Sequence, residues 1–202
     1  ETVDRYMSNV VGDKVKPEIR KEIEEAILNL DVMPSMRSLM TAGPALERDH
    51  TAGYNCSYTP IDHPRCFDEV LYILLNGTGV GFSVEEQFVN KLQGVPILLY
   101  ESGNIISVAD SKEGWANAYR QLIEELYRGR IPKFNVSRVR PEGARLKTFG
   151  GRASGPQPLV NLFDHTITTF QAAAGRNLTP LEVHSIMTKI GDVVVVGGVR
   201  RS

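Results

Sequence analysis

Two cysteines stand in different surroundings, Cys56 in the polar, loop-like stretch AGYNCSYTP and Cys66 at the start of an apolar helical face. A thiol placed like Cys56 can exchange with a disulfide, because exchange needs access and some thiolate. Cys66 reads as inert core, and a lone cysteine is in general more often a small buried hydrophobe than a redox group. GTGVGFS, residues 77–83, is the second segment with chemical capacity. Its glycines let a ligand approach the main chain, and successive N–H groups can form an anion-binding nest. In a dinucleotide loop the glycines leave a strand and open a helix, so that phosphate meets the helix N-terminus. Here the order is reversed, so a helix-dipole phosphate site is not expected and a plain C-cap and turn stays open. His50, His63, His165 and His184 have no metal-ligand spacing, so no metal site is expected, and no GxSxG elbow supports a hydrolase triad.

Charge adds a third feature. The formal net charge of −1 divides into −9 over residues 1–127, +7 over residues 128–152 and +1 over residues 153–202. The basic block runs through Arg128, Arg130, Lys133, Arg138, Arg140, Arg145, Lys147 and Arg152, with Arg200 and Arg201 at the end. Such a block attracts phosphate, and its alternative is a solvated face. Only Phe134 and Phe149 lie within it, which argues against single-stranded nucleic acid stacked on aromatics.

These residues must be positioned by helices and short strands. Ile19, Ile23, Ala26, Ile27 and Leu30 recur at helical steps behind Pro17, which suits a first helical position. Residues 32–46 read as a loop broken by Pro34 and Gly43-Pro44. Phe67, Val70, Leu71 and Leu74 mark a second helix ending at Gly77, and GVGFSVE reads as a strand. A strand is expected at Ile105–Val108. A capping box of Asp110 and Glu113 then opens a helix with Trp115, Ala118, Leu122 and Leu126 inside, ended by Gly129. The next helix starts near Pro158, buries Leu159, Leu162, Phe163, Phe170 and Ala174, and stops at Gly175. Another, boxed by Thr179 and Glu182, closes at Gly191 and gives way to a buried parallel strand over Val193–Val196. Helices alternating with short apolar strands make the class α/β.

At 202 residues with 42% hydrophobic content, the chain can build a proper core. Two cysteines exclude a disulfide framework and suggest a reducing compartment. No run of 18 apolar residues and no signal-peptide pattern is present. The chain lacks an initiator Met and stops after an apolar run and a glycine pair, so it reads as a piece of something longer.

Joined together, the segments DVMPSMRSLMTAGPAL, AGYNCSYTPID, NGTGVGFSVE, ADSKEGW, RPEGARLKTFGGRASGP and IGDVVVVGGVRRS follow the order seen in ribonucleotide reductases. From about residue 30 to its end the chain most closely resembles the adenosylcobalamin-dependent (class II) members of the monomeric ribonucleoside-triphosphate reductase type. Behind the N-terminal helical segment, residues 1–30, the resemblance implies over residues 31–202 the first half of a ten-stranded α/β barrel. That half is a five-stranded parallel sheet with flanking helices, and the second half is absent from this chain. It implies an effector region at about residues 84–152.

The implied chemistry is reduction of ribonucleoside triphosphates to 2′-deoxyribonucleotides by a cysteine thiyl radical, with a redox cysteine pair that becomes a disulfide. Cys56 matches the N-terminal member of that pair, and the partner and radical-bearing cysteines match nothing here. By the same resemblance Ser35 and Asn55 hold substrate phosphates and ribose, and the main chain at Thr78, Gly79 and Gly81 lies against the substrate. Asp110, Ser111, Lys112, Lys147 and Arg152 fall to a dNTP effector, and Arg200 to the loop between effector and substrate base. Adenosylcobalamin, bound mostly outside this chain, and thioredoxin or a similar reductant are implied, in a cytoplasmic setting without nucleic-acid or membrane partners. Monomeric members carry a long insertion in the effector region, whereas Trp115–Arg138 is short, so monomer and homodimer both stay open. The alternatives are a class I or diphosphate-using large subunit, a catalytically silent dNTP-binding module, and a nucleic-acid binder using residues 128–152.

Overall fold

A computed structural model describes residues 1–145 and 152–196, all but 195 and 196 with their side chains. The chain divides into two compact units, Glu1–Asn55 and Cys56–Ser202.

The first unit is helical. α1 (Thr2–Tyr6) runs into a π-helical turn, Met7–Val11, and α2 (Pro17–Leu28) carries Pro17 at its first position, as expected. Met7, Ile27, Ala42 and Ala52 are its buried apolar residues. Arg5 ties α1 to the chain ahead by donating from Nη2 to the Leu39 carbonyl at 2.9 Å. The loop expected over residues 32–46 contains α3 (Met36–Thr41), and α4 (Pro44–Arg48) begins within it. Pro34 and Gly43 delimit short helices instead of abolishing them: Pro44 sits in the first turn of α4, and Gly43 turns the chain at φ +98°.

The second unit is built from two parallel βαβ units and two long helices. β1 (Cys56–Pro60), α5 (Arg65–Leu75) and β2 (Gly79–Ser83) form the first. After α6 (Glu86–Val89), β3 (Tyr100–Ser107), α7 (Lys112–Tyr127) and β4 (Arg130–Asn135) form the second. α8 (Gln157–Ala172) and α9 (Pro180–Val196) follow. Parallel neighbours need such crossovers, and burying the helices' apolar stripes against the sheets gives the α/β class read from the sequence. Among the described residues the strands form two two-stranded sheets, β1-β2 and β3-β4.

The core joins all four long helices. Tyr119 of α7 stacks on Phe163 of α8 with ring centroids 5.9 Å apart, Phe134 of β4 meets Phe163 edge-on at 5.1 Å, and Tyr127 meets Phe170 at 5.0 Å. The buried Tyr119 hydroxyl lies 3.0 Å from Thr166 Oγ1, which itself donates to the Leu162 carbonyl. Burial pushes the Tyr119 phenol well above its ordinary range, so it stays protonated. α8 buries Ala173 at its end where Ala174 was expected, because Ala173 falls on the inward side of the last turn and Ala174 is exposed.

Two local expectations are corrected. α7 is capped by Ser111, whose Oγ accepts from the Gly114 amide at 2.9 Å, and not by an Asp110–Glu113 box. Asp110 is unavailable as a cap because its carboxylate is held by Arg140. More consequentially, Gly191 does not end α9 and Val193–Val196 are not a strand. Val183, Ile186, Met187, Ile190, Val193 and Val194 recur at steps of three, one, three, three and one, and all are buried on one helical face. That continuous stripe outweighs the β-propensity of the valines. A Cβ at Gly191 meets nothing within 4 Å. Gly191→Ala should therefore stabilise the chain by about 0.5–1 kcal/mol in urea unfolding, the usual cost of glycine in a helix interior. Loss of stability would contradict helical continuity.

The capping box at the head of α9 forms as expected. The Glu182 amide donates to Thr179 Oγ1 at 3.3 Å, and Glu182 Oε2 accepts from the Thr179 amide at 2.8 Å. Arg176 grips the same carboxylate at 2.6 and 2.8 Å and, with the Thr179 contacts, lowers it to about 2 against burial.

Candidate active site

β1 and β2 run parallel in the register Cys56↔Gly79, Ser57↔Val80, Tyr58↔Gly81. Register partners in a parallel pair share a face, and the face alternates along each strand. Ser57, Thr59, Val80 and Phe82 therefore occupy one face, and Val80 and Phe82 pack against the core. Cys56, Tyr58, Gly79 and Gly81 occupy the other. Cys56 is an exposed free thiol, Tyr58 is exposed, and Gly81 is exposed too. The result is a thiol at the head of a strand, beside a strip of bare main chain where β2 has glycine at both facing positions.

Gly77 and Gly81 of GTGVGFS stand in different backbone settings. Gly77 has φ +78° and closes α5 in a Schellman motif. Its amide donates to Leu74 O at 2.8 Å, and the Thr78 amide donates to Ile73 O at 3.3 Å. The C-cap alternative thus accounts for Gly77. It does not account for Gly81, which carries no left-handed backbone and whose added Cβ would make only ordinary contacts, at 3.8 Å from Ser57 O and Tyr58 Cδ2. Nothing among the described residues requires glycine there, so on that face the main chain can be approached closely. Thr78 is buried at 1% exposure, so what it can offer a ligand is main chain.

Ser35 and Asn55 belong to the first unit, Ser35 as the N-cap residue of α3 and Asn55 as an exposed residue immediately preceding Cys56. Cys66 is buried at 1% and its thiol donates to the Pro60 carbonyl at 3.3 Å, as a structural thiol would.

Of the effector residues named from the sequence, Asp110, Ser111 and Lys112 lie at the start of α7. Asp110 accepts from Arg140 Nε at 2.8 and 3.1 Å, Ser111 caps the helix, and Lys112 Nζ reaches Asn76 Oδ1 at the end of α5. Arg140 also donates to the Arg145 carbonyl at 3.5 Å, and Arg145 bridges to Arg152, whose Nη1 donates to Gly143 O at 3.1 Å. Arg140 is thus the link that draws Asp110 and Arg152 into one neighbourhood. Sequence reasoning counted it only as one charge of a block, and its thirty-residue separation from Asp110 left no local signal. Lys147 and Arg200 lie outside the described residues.

The basic block is less available than its charge suggests. Arg130 and Arg128 converge on Glu125 at 2.7 and 3.1 Å, with Asn104 adding a hydrogen bond at 2.9 Å. Burial alone would raise the Glu125 carboxyl, and these three donors outweigh it and hold it below the usual carboxylate range. Arg128, Lys133, Arg138, Arg145 and Arg152 are the exposed cations of the block among the described residues, and Arg128 among them is already paired with Glu125.

A cavity of about 440 Å³ opens between α5 and α7, lined by Arg65, Asp68, Tyr72 and Glu113 among others. That volume falls within the range of small-molecule sites. No helix among the described residues is long and apolar enough to cross a membrane.

The profile of the family described as "B12-dependent ribonucleotide reductase, insertion domain" matches residues 85–169. The chain is a relative of the B12-dependent ribonucleotide reductases. Over its whole length it is 30% identical to a protein of Mycobacterium phage D29 named as a candidate adenosylcobalamin-dependent ribonucleoside-triphosphate reductase, of which it covers 36%. It is 26% identical, again over its whole length, to the adenosylcobalamin-dependent ribonucleoside-triphosphate reductase of Levilactobacillus brevis, covering 37% of that enzyme. The chain thus spans about a third of the length of these curated relatives. A crystal structure of a B12-dependent (class II) ribonucleotide reductase superposes with a TM-score of 0.77 at 21% identity, covering 96% of this chain and 36% of that one, a likeness of fold. Trp115–Arg138, read as short for a family insertion, lies inside the segment that the insertion-domain profile matches.

Proposed function

We propose that the protein carrying this chain reduces ribonucleoside triphosphates to 2′-deoxyribonucleotides, and that Cys56 supplies one of the two thiols oxidised in the process. The observation that carries the proposal is the exposed thiol at the head of β1, beside the bare main chain of Gly79 and Gly81. The balance is simple. Two thiols give up two electrons and two protons, the 2′-hydroxyl leaves as water, and Cys56 ends in a disulfide with a second cysteine of the same protein. Thioredoxin or a similar dithiol then resets the pair by exchange, which requires the access that Cys56 has.

Adenosylcobalamin is the cofactor that the relatives' names support, and it would supply the radical by homolysis. No residue of this chain is assigned to it. This chain's own part is to present Cys56, to leave room over Gly79 and Gly81 for the sugar, and to hold phosphate and ribose through Ser35 and Asn55. The frame would be the first half of a ten-stranded barrel, with residues 1–30 ahead of it and an effector region at about 84–152. In that region Asp110, Ser111, Lys112, Lys147 and Arg152 would bind a dNTP, with Arg200 passing its identity to the active site, which requires two loop arrangements with different ligand contacts. Monomeric and homodimeric assemblies are both compatible with this arrangement.

The test is product formation by the full-length protein. Ribonucleoside triphosphate, adenosylcobalamin and reduced thioredoxin together should yield deoxyribonucleotide, and omission of adenosylcobalamin should stop it. Undiminished product without the cofactor would refute the cobalamin assignment.

A further inference from the structure

Between β1 and α5, three side chains with metal-binding atoms come together: Asp62, His63 and Cys66. One ligand atom from each lies within 4.8 Å of the others, and Asp62 Oδ1 stands 4.0 Å from His63 Nε2. The turn that carries them is already ordered. Pro64 is the N-cap residue of α5 with φ −60°, and the Cys66 amide donates to the His63 carbonyl at 3.1 Å. Arg65 is turned away onto Asp68 and Glu69, at 3.3 and 3.5 Å, and Lys91 Nζ stands 3.6 Å from Asp62 Oδ2, so an ion taking that carboxylate would displace the flexible Lys91 ammonium to solvent. The site is layered, with the Cys66 sulfur beneath and the partly exposed Asp62 and His63 above, so an ion can enter from solvent.

We propose that Asp62, His63 and Cys66 form a binding site for a borderline-soft divalent cation, with Zn²⁺ the best match. Sulfur, imidazole nitrogen and carboxylate oxygen are the donor set of zinc, and three protein ligands leave a fourth position for water. Tetrahedral bonds of about 2.3 Å to sulfur and about 2.0 Å to nitrogen or oxygen place the donors roughly 3.3–3.6 Å apart. Rotation of the exposed His63 and the partly exposed Asp62 side chains would supply that contraction. On binding, the Cys66 S–H bond breaks, the proton passes to solvent, the hydrogen bond to Pro60 O is exchanged for a metal–sulfur bond, and nothing is oxidised or reduced. The site stands independently of the reductase proposal, since it uses neither Cys56 nor the glycine strip. Its sequence signal is Asp-His-x₂-Cys across a helix start, which a search of histidine spacing alone passes over.

The 202-residue chain, reduced and stripped of metal, is titrated with Co²⁺ while the near-ultraviolet thiolate-to-cobalt absorption is recorded, and Zn²⁺ is then added in competition. The expected result is a saturable one-to-one signal, displaced by Zn²⁺, retained in Cys56→Ser and lost in Cys66→Ser. His63→Ala, an exposed position whose truncation spares the fold, should weaken Co²⁺ at least tenfold. Absence of the thiolate band, its survival in Cys66→Ser, its loss in Cys56→Ser, or unchanged affinity in His63→Ala would each overturn the site.

Discussion

Cys56→Ser in the full-length protein should abolish multiple turnover with thioredoxin as reductant, a loss of at least a thousandfold in kcat. The change is nearly isosteric and falls at an exposed strand start, where surface substitutions rarely shift stability by more than about 0.5 kcal/mol. Its effect is therefore chemical. A hydroxyl cannot be oxidised to a disulfide, so the electron pair has no source. Cys66 cannot stand in, being buried at 1% and donating to Pro60 O on the inner side of the turn. The check is steady-state deoxyribonucleotide formation with the unfolding midpoint measured alongside. Sustained turnover by the serine variant would remove Cys56 from the redox role.

Gly81→Val should separate binding from folding. The backbone at Gly81 has no positive φ, valine favours strands, and its Cβ would sit 3.8 Å from the nearest chain atoms. The chain should fold with its stability changed by less than about 1 kcal/mol. Yet the added isopropyl group rises from the same face as Cys56, two residues along from its register partner Gly79, into the space proposed for the sugar. KM for the ribonucleotide should rise at least tenfold, and kcat should fall as the sugar is displaced from the thiol. Unchanged kinetics in a folded variant would mean that the strip between Cys56 and Gly81 does not meet substrate.

What was legible in the sequence followed from local rules. Pro17, Thr179 with Glu182, and the glycines at 77, 129 and 175 mark helix ends through geometry that a few neighbouring residues determine, and each stands where it was expected. The exposed Cys56 and buried Cys66 were also separable, because one sits among polar residues and the other on an apolar helical face. The misses have a non-local cause. Val193–Val196 look like a strand by composition and are helical because their inward positions continue the stripe that begins at Val183. Asp110 looks like a cap, and Arg140, thirty residues away, takes its carboxylate. The basic block looks like a phosphate surface, and Glu125 pairs with Arg128 and Arg130. In the site, the glycine strip becomes meaningful only through the register that sets Gly79 beside Cys56, and pairing register is not written in either strand alone.

The most direct measurement is the fate of the Cys56 thiol in a single turnover. The full-length protein, fully reduced and given adenosylcobalamin and ribonucleoside triphosphate but no external reductant, is quenched with an alkylating agent, digested and mapped by mass spectrometry. The expected result is about one deoxyribonucleotide per protein, with the Cys56 peptide recovered in a disulfide to a second cysteine of the same chain while Cys66 remains a free thiol. Deoxyribonucleotide formed in that amount with Cys56 still alkylated as a free thiol would contradict the account.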